Sequence, residues 1–264
     1  MSEYETITLD ATPAGVAIVL LNRPEAGNAI NGKMIEELTD VLENLRAEEQ
    51  LRMVIFRGAG NDFCVGADRH WFELAKDYTQ SENEDEGFAA AEVFRRIHDL
   101  PQLTVALLQG GVYGGGAGIA CACDVAVAME GASFRFGEVS RGMIPAAIAP
   151  FVVGAIGKRM AKALFLTGED FDAGFAEQIG LAQFTVDDET GMEEMLEYLS
   201  SLAFANSPSA VADAKRLLHD IDARPIDRDM SHLTAKRAAA RWERGEAQEG
   251  ISALLEDRNP RWAE

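Results

Sequence analysis

Residues 110 to 118 read GGVYGGGAG: six glycines in nine positions, with no charged side chain until Asp124. Glycine loses more conformational freedom on folding than any other residue, so a run this dense belongs where a backbone turns sharply or comes close to something. Whatever the fold, it has to bring this backbone against a partner.

The segments on either side have an α/β rhythm. TITLDAT and GVAIVLLN are short β-branched runs separated by Pro13-Ala14-Gly15, which reads as a hairpin. A helical pattern follows from about 31 to 48, then RMVIFRG, a further helix and LTVALLQG. VIFRG and VALLQG are nearly unbroken apolar runs, as in strands covered on both faces. From about Ala146 onward, VVGAIGKRMAKALFLTG, EEMLEYLSSLAFANS, SAVADAKRLLHDI and MSHLTAKRAAARWERGEAQEGISALLEDR predict helices almost throughout. Residues 1–200 therefore read as an α/β core and 201–264 as a helical subdomain. SENEDEG at 81–87, acidic and ending in glycine, reads as a mobile loop.

With 24 basic against 44 acidic side chains the formal charge is −20, a field that repels nucleic acid and anionic membranes. No run approaches the roughly 18 apolar residues of a membrane span, and MSEYETITLD has neither the basic start nor the apolar stretch of a secretory signal. The expectation is a soluble cytoplasmic protein. Cys64, Cys121 and Cys123 are odd in number, which argues against a disulfide framework. Cys121 and Cys123 form C-x-C, but His70, His98, His219 and His232 offer no paired ligand spacing; a small buried cysteine pair and no metal are expected. The glycine run satisfies no register of G-x-G-x-x-G. GAIGKR at 154–159 lacks the spacer and the hydroxyl residue of a phosphate-binding loop, and no G-x-S-x-G is present.

Three separated segments carry a resemblance: LNRPEAGNAI at 21–30, FCVGAD at 63–68, and GGVYGGGAG continuing through ACACDVAVAMEGASFRFGEVSRGMIP to Pro145. In this order and spacing they are similar to the crotonase superfamily, the enoyl-CoA hydratases and isomerases. FLTGEDFDAGFAEQIGLA at 165–182 and the C-terminal EGISALLEDR extend the likeness over essentially the whole chain. The resemblance implies a crotonase fold, a spiral of ββα units around a sheet core, with a C-terminal helical oligomerisation subdomain that assembles as a homotrimer or a dimer of trimers. The stripe of Ile251, Leu254 and Leu255 suits that role or an internal core equally. It also implies an acyl-CoA thioester as substrate, in fatty acid metabolism, with coenzyme A as part of the substrate and no separate cofactor.

Crotonase-type chemistry passes through an enolate-like species whose oxygen needs preorganised N–H donors, each typically worth about 2.7–4 kcal/mol of transition-state stabilisation. By resemblance these are the backbone amides of Ala67 and Gly115, the second at a helix N-terminus that favours negative charge. The same likeness lays the backbone from Glu25 through Ala26 and Asn28 to Ala29 beside the adenine end of coenzyme A. It runs Ala67, Asp68, Arg69 and His70 along the pantetheine and phosphates, although family members often carry Lys or Arg where His70 stands. The acyl pocket is expected around Trp71, Phe72 and the 81–87 stretch.

Hydratases of the family hold water between two glutamates. The second falls on Glu138, which on sequence alone reads as well as a cap or a partner of Arg141; the first falls on Gly118, which has no side chain. A single carboxylate can shuttle a proton at the α or γ carbon but cannot by itself both orient water and manage a second transfer. Glu138 is the expected general acid or base. Gly118 leaves room for a branched or carboxylated acyl group, or for a water held by backbone and Glu138; Arg141 stands nearby. A hydratase of the methylglutaconyl-CoA type is the leading expectation, because Ala-x-Ile-x-Pro follows Ile144-Pro145. A Δ3,Δ2-enoyl-CoA isomerase, an acyl-CoA decarboxylase and a non-catalytic acyl-CoA binder remain open.

Overall fold

A computed structural model describes residues 4–12 and 14–263; Pro13 of the expected turn lies outside them. The first strands, β1 (Ile7–Ala11) and β2 (Val16–Leu21), pair antiparallel as the hairpin the sequence predicts. Helix α1 (Gly32–Ala47) begins where Asn31 caps it, its side chain accepting from the Met34 amide at 2.8 Å. The helix buries Met34, Leu38, Val41, Leu42 and Leu45, the i, i+3/i+4 stripe that an amphipathic helix lays on a sheet. Both β3 (Met53–Gly58) and β4 (Leu103–Leu108) are buried nearly throughout, and each lies parallel to its neighbour.

Between these two strands come α2 (Arg69–Ala75) and α3 (Gln80–His98). The expected mobile loop at 81–87 is instead the first two turns of α3. The reason is local: Thr79 accepts from the Glu82 amide while Glu82 accepts from the Thr79 amide at 2.7 Å, a complete capping box that satisfies two N-terminal donors at once. An acidic first turn also suits the positive end of the helix dipole. Charge density alone had pointed the other way.

After β4 come β5 (Gly111–Tyr113), α4 (Gly115–Ala122), β6 (Val125–Met129) and β7 (Ser133–Arg135). The region expected to be helical from Ala146 holds α5 (Ala149–Thr167), β8 (Asp170–Asp172), α6 (Ala173–Gln178) and β9 (Phe184–Val186) before α7 (Glu189–Ala205). Two strands of three residues are too short to show a periodicity, and pairing rather than pattern creates them. β9 completes a six-stranded sheet ordered β1-β2-β3-β4-β6-β9, parallel apart from the β1–β2 hairpin. β5, β7 and β8 form a second, three-stranded sheet. Helix α5 is interrupted at Gly157, whose φ of 73° leaves the helical region.

The chain divides into two compact units, Met1–Glu197 and Tyr198–Glu264, the division falling inside α7. The second unit carries α8 (Pro208–Ile221), α9 (Arg228–Trp242) and α10 (Gly245–Leu255). The long stretch 230–258 is thus two helices, broken near Arg244. Within this unit Glu246 accepts from the Ser209 hydroxyl at 2.6 Å, from the Ser207 hydroxyl and from Arg241 at 3.1 Å, joining the starts of α8 and α10 to the end of α9.

Candidate active site

Parallel strands collect loops at their C-terminal ends, and crevices there are where open α/β sheets place ligands. Here the loop leaving β3 and the glycine run leaving β4 meet. Cys64 and Val112 form a parallel bridge, with the Cys64 amide donating to Gly111 O at 3.0 Å and the Tyr113 amide to Cys64 O at 2.9 Å. On its other flank the same loop bridges Ile30: the Ile30 amide donates to Gly66 O and the Asp68 amide to Ile30 O, both at 2.8 Å. A parallel bridge uses the groups flanking the bridged residue, so the N–H of Ala67 projects away from Ile30. Among the described residues that amide donates to nothing.

The second amide follows from the second sheet. β5 pairs with β7 in register, Tyr113 opposite Arg135, and the Gly114 amide donates to Arg135 O at 2.9 Å. The chain then enters α4, whose first N–H groups, that of Gly115 included, precede any intrahelical acceptor. Three residues beyond Arg135, the β7 strand reaches Glu138 at the start of a 3-10 turn, Glu138–Arg141. One pairing therefore sets the helix N-terminus and the carboxylate side by side. Gly114, at φ 48°, has no Cβ, and one placed there would lie 2.8 Å from Glu138 Oε1. Phe134 stacks on Phe171 and Phe136 meets Phe165 edge-on, which fixes the strand that leads to Glu138.

Ala67, Gly115 and Glu138 lie on the wall of one cavity of about 660 Å³, together with Trp71, Phe72 and Arg141. Burial raises the proton affinity of the Glu138 carboxyl above the ordinary carboxylate range, offset in part by its backbone amide and by the charge of Arg141. Its Oε2 is buried and makes no hydrogen bond among the described residues. A buried carboxylate oxygen without a partner costs stability, so it marks a functional group more readily than a structural one.

Other expected site residues fare differently. Asn28 is fully buried at φ 54°, its side chain accepting from the Arg23 amide and donating to Ala59 O and Asp62 O, so the side chain shapes the loop whose backbone was expected beside the adenine. Asp68 caps α2 by accepting from the His70 amide and pairs with Arg23 at 2.7 Å. Burial alone would raise its carboxyl, but those bonds and the neighbouring charge hold it below the usual range. Arg23 also reaches Ala29 O at 2.6 Å, so it is a clasp and not a ligand-facing cation. Glu25 is exposed, Ala26 half-buried and Ala29 buried. Arg69 and His70, 95% and 74% exposed at their side chains, remain free for an anion apart from contacts with Glu73.

Gly118 corrects the expectation of open space. It does not line the cavity, because a Cβ there would overlap Ile148 Cγ2 and come within 3.0 Å of Phe94 Cε1. Gly116 likewise lets α4 close onto the backbone of Cys64. The glycine run thus does two things: 114 and 115 face the cavity, while 116 and 118 allow tight packing. The 81–87 stretch contributes nothing to the lining, whereas Ala90 and Phe94 further along α3 do; Glu86 accepts from Trp71 Nε1 at 3.3 Å. Sequence reading missed Phe94 and Ile148, whose apolar periodicity marks them only as core. Cys64 is buried, its thiol pushed up to about 12, burial likewise raises the Cys121 thiol to about 12, Cys123 is partly buried, and none of the three is in a disulfide.

A family model described as enoyl-CoA hydratase/isomerase matches residues 11–264. A Thermus thermophilus protein assigned as an enoyl-CoA hydratase is 33% identical, over 94% of this chain and 97% of its own length. The 2,3-dehydroadipyl-CoA hydratase of Escherichia coli is 29% identical, over 93% of this chain and 94% of its own. The crystal structure of an enoyl-CoA hydratase from Shewanella pealeana superposes with a TM-score of 0.95 at 32% identity, covering 98% of this chain and 97% of that one.

Proposed function

Since the chain belongs to the enoyl-CoA hydratase/isomerase family, we propose that it is an enoyl-CoA hydratase that works with one side-chain carboxylate. The thioester oxygen accepts from the Ala67 and Gly115 amides, which draws electron density from C3 of the 2-enoyl group. With backbone groups of the cavity orienting the water in place of a second carboxylate, Glu138 takes a proton from it as the water oxygen bonds to C3. The resulting enolate is held by the two amides, each worth about 2.7–4 kcal/mol in such a role. Glu138 then returns a proton to C2, so one water is added and the carboxylate is restored. No cofactor takes part. The observation that carries this reading is a carboxylate of raised proton affinity on the same cavity wall as two unpartnered amides.

Arg69 and His70 meet the phosphates of coenzyme A in this reading, and the backbone of Glu25, Ala26, Asn28 and Ala29 borders its adenine. Exposed Ile226, Trp242, Leu254 and Leu255 in the C-terminal unit support a homo-oligomer, a trimer or dimer of trimers, which light scattering of the purified protein measures. No helix among the described residues is long and apolar enough to cross a membrane, and three cysteines outside any disulfide support a reducing, cytoplasmic setting.

The test compares wild type with Glu138→Gln on crotonyl-CoA, followed by product mass. Hydration adds the mass of water, and the variant should lose on the order of 10²–10⁴ in kcat while still binding the thioester. A product of unchanged mass from a 3-enoyl-CoA, with no hydration of crotonyl-CoA, would assign the isomerase instead. Full turnover by the variant would remove Glu138 from the chemistry.

A further inference from the structure

The cavity wall changes character along its length. On the second sheet a polar row crosses three strands, with Tyr113 of β5 opposite Arg135 of β7 and Arg135 opposite Asp170 of β8. Another part of the wall, contributed by α1, α2, α3 and the residue before α5, is apolar: Ile35, Trp71, Ala90, Phe94 and Ile148. A hydrocarbon tail gains free energy by leaving water for the second of these surfaces and not for the first.

Helix α3 shapes the depth of the apolar part. Ala90 and Phe94 are four residues apart, so they share one face of the helix at successive turns. Ala90 carries a single methyl group and is half-buried, whereas Phe94 is 4% exposed. The face therefore steps from small to large as it goes inward. The Phe94 ring is also packed from several directions. A Cβ built on Gly115 would lie 3.8 Å from its Cζ, and one on Gly118 would lie 3.0 Å from its Cε1. Phe151 packs against it with ring centroids 6.1 Å apart, and His98 follows Phe151 at 5.7 Å. A buried ring held in this way has little freedom to withdraw.

Resting on the hydratase reading above, which puts the thioester oxygen at the Ala67 and Gly115 amides, we infer that Phe94 is the floor of the acyl pocket and the residue that sets chain length. The substrate class is then a short 2-enoyl-CoA with an uncharged tail. The ring edge faces the same residue, Gly115, whose amide anchors the thioester, so a tail that runs past Ala90 ends at the ring. A longer tail has to displace packed atoms or leave its last methylenes in water, and each methylene left there forfeits roughly fourfold in affinity. Phe94 acts by shape, and the proton transfers stay with Glu138.

The experiment compares crotonyl-CoA with trans-2-octenoyl-CoA, which is longer by four methylenes. kcat and KM are measured for wild type, Phe94→Ala and Phe94→Leu, together with the Kd of butyryl-CoA, octanoyl-CoA and free coenzyme A. Wild type should favour crotonyl-CoA. Phe94→Ala should move the ratio of kcat/KM toward octenoyl-CoA by roughly 10–100-fold, mainly through KM, as two or three newly buried methylenes would. Phe94→Leu should move it the same way by less, and it carries the test should Phe94→Ala fail to fold. Free coenzyme A should bind every variant alike. Wild type that uses octenoyl-CoA as well as crotonyl-CoA overturns the inference. So does a proportional loss on both substrates in the variants, or weakened binding of free coenzyme A, either of which makes Phe94 a structural support only. If wild type hydrates neither thioester, the hydratase reading fails by itself. The Kd ratio of octanoyl-CoA to butyryl-CoA in wild type and variants then still decides whether Phe94 limits the tail.

Discussion

Replacing Gly118 by Ala tests whether the slot beside α4 is filled as the packing indicates. The added Cβ would overlap Ile148 Cγ2 and approach Ile148 Cβ and Phe94 Cε1 at 3.0 Å. Ile148 is only 3% exposed and β-branched, so its methyl has little rotamer freedom to withdraw. Overpacking of this kind costs about 1–3 kcal/mol, while Gly→Ala inside a helix returns about 1 kcal/mol. The single variant should therefore be destabilised by up to about 2 kcal/mol. Ile148→Ala alone should cost about 2–5 kcal/mol through lost burial and a cavity. In that background the Cγ2 methyl that overlaps the new Cβ is gone, although the Cβ of residue 148 and Phe94 Cε1 still stand at 3.0 Å, so Gly118→Ala should cost about 1–3 kcal/mol less than in wild type. That favourable coupling of about 1–3 kcal/mol across the double-mutant cycle is the signature. Urea unfolding of the four proteins at one protomer concentration measures it, since any oligomer makes stability concentration-dependent. Additivity within about 0.5 kcal/mol would falsify the packing argument. The same geometry predicts that Gly118→Glu alone does not install a second working carboxylate.

Glu138 has a pH signature of a definite sign. As the group that takes a proton from water it must be ionised, so the acid limb of kcat/KM should lie above the ordinary carboxylate range, because burial raises its proton affinity. For stability, a folded-state pKa above the unfolded one means that the folded state is favoured below the unfolded pKa and loses that advantage as pH rises through the folded value. Glu138→Gln should accordingly match wild type in acid and be more stable at neutral pH; equal stability at both would refute the burial argument. Asp68→Ala removes the α2 cap and strands Arg23, which should cost about 1–3 kcal/mol in a denaturation series and raise KM for any CoA thioester through Arg69 and His70. Thr79→Ala should cost about 1 kcal/mol and speed amide exchange in the first turn of α3, leaving the β strands protected.

Much of this was legible in order along the chain. Apolar runs marked β3 and β4, and the i, i+3/i+4 stripe after Asn31 marked α1, because each of these signals is written within a few residues, whereas Glu138 was marked by the family likeness. The acidic start of α3 was legible too, in Thr79-Gln80-Ser81-Glu82, had the capping spacing been weighed above charge density. The family likeness of the three glycine-bearing segments carried the fold and the hydratase assignment. What the chain order did not contain was which atoms share space across long separations. Ile148, thirty residues beyond Gly118, fills the room that the glycine leaves. Arg23 and Asp68, 45 positions apart, answer each other and so are withdrawn from any ligand. Helix and strand periods follow from backbone geometry and the nearest side chains, so sequence states them directly; occupancy of a slot or pairing of a charge depends on every element packed around it, and only the tertiary structure decides that.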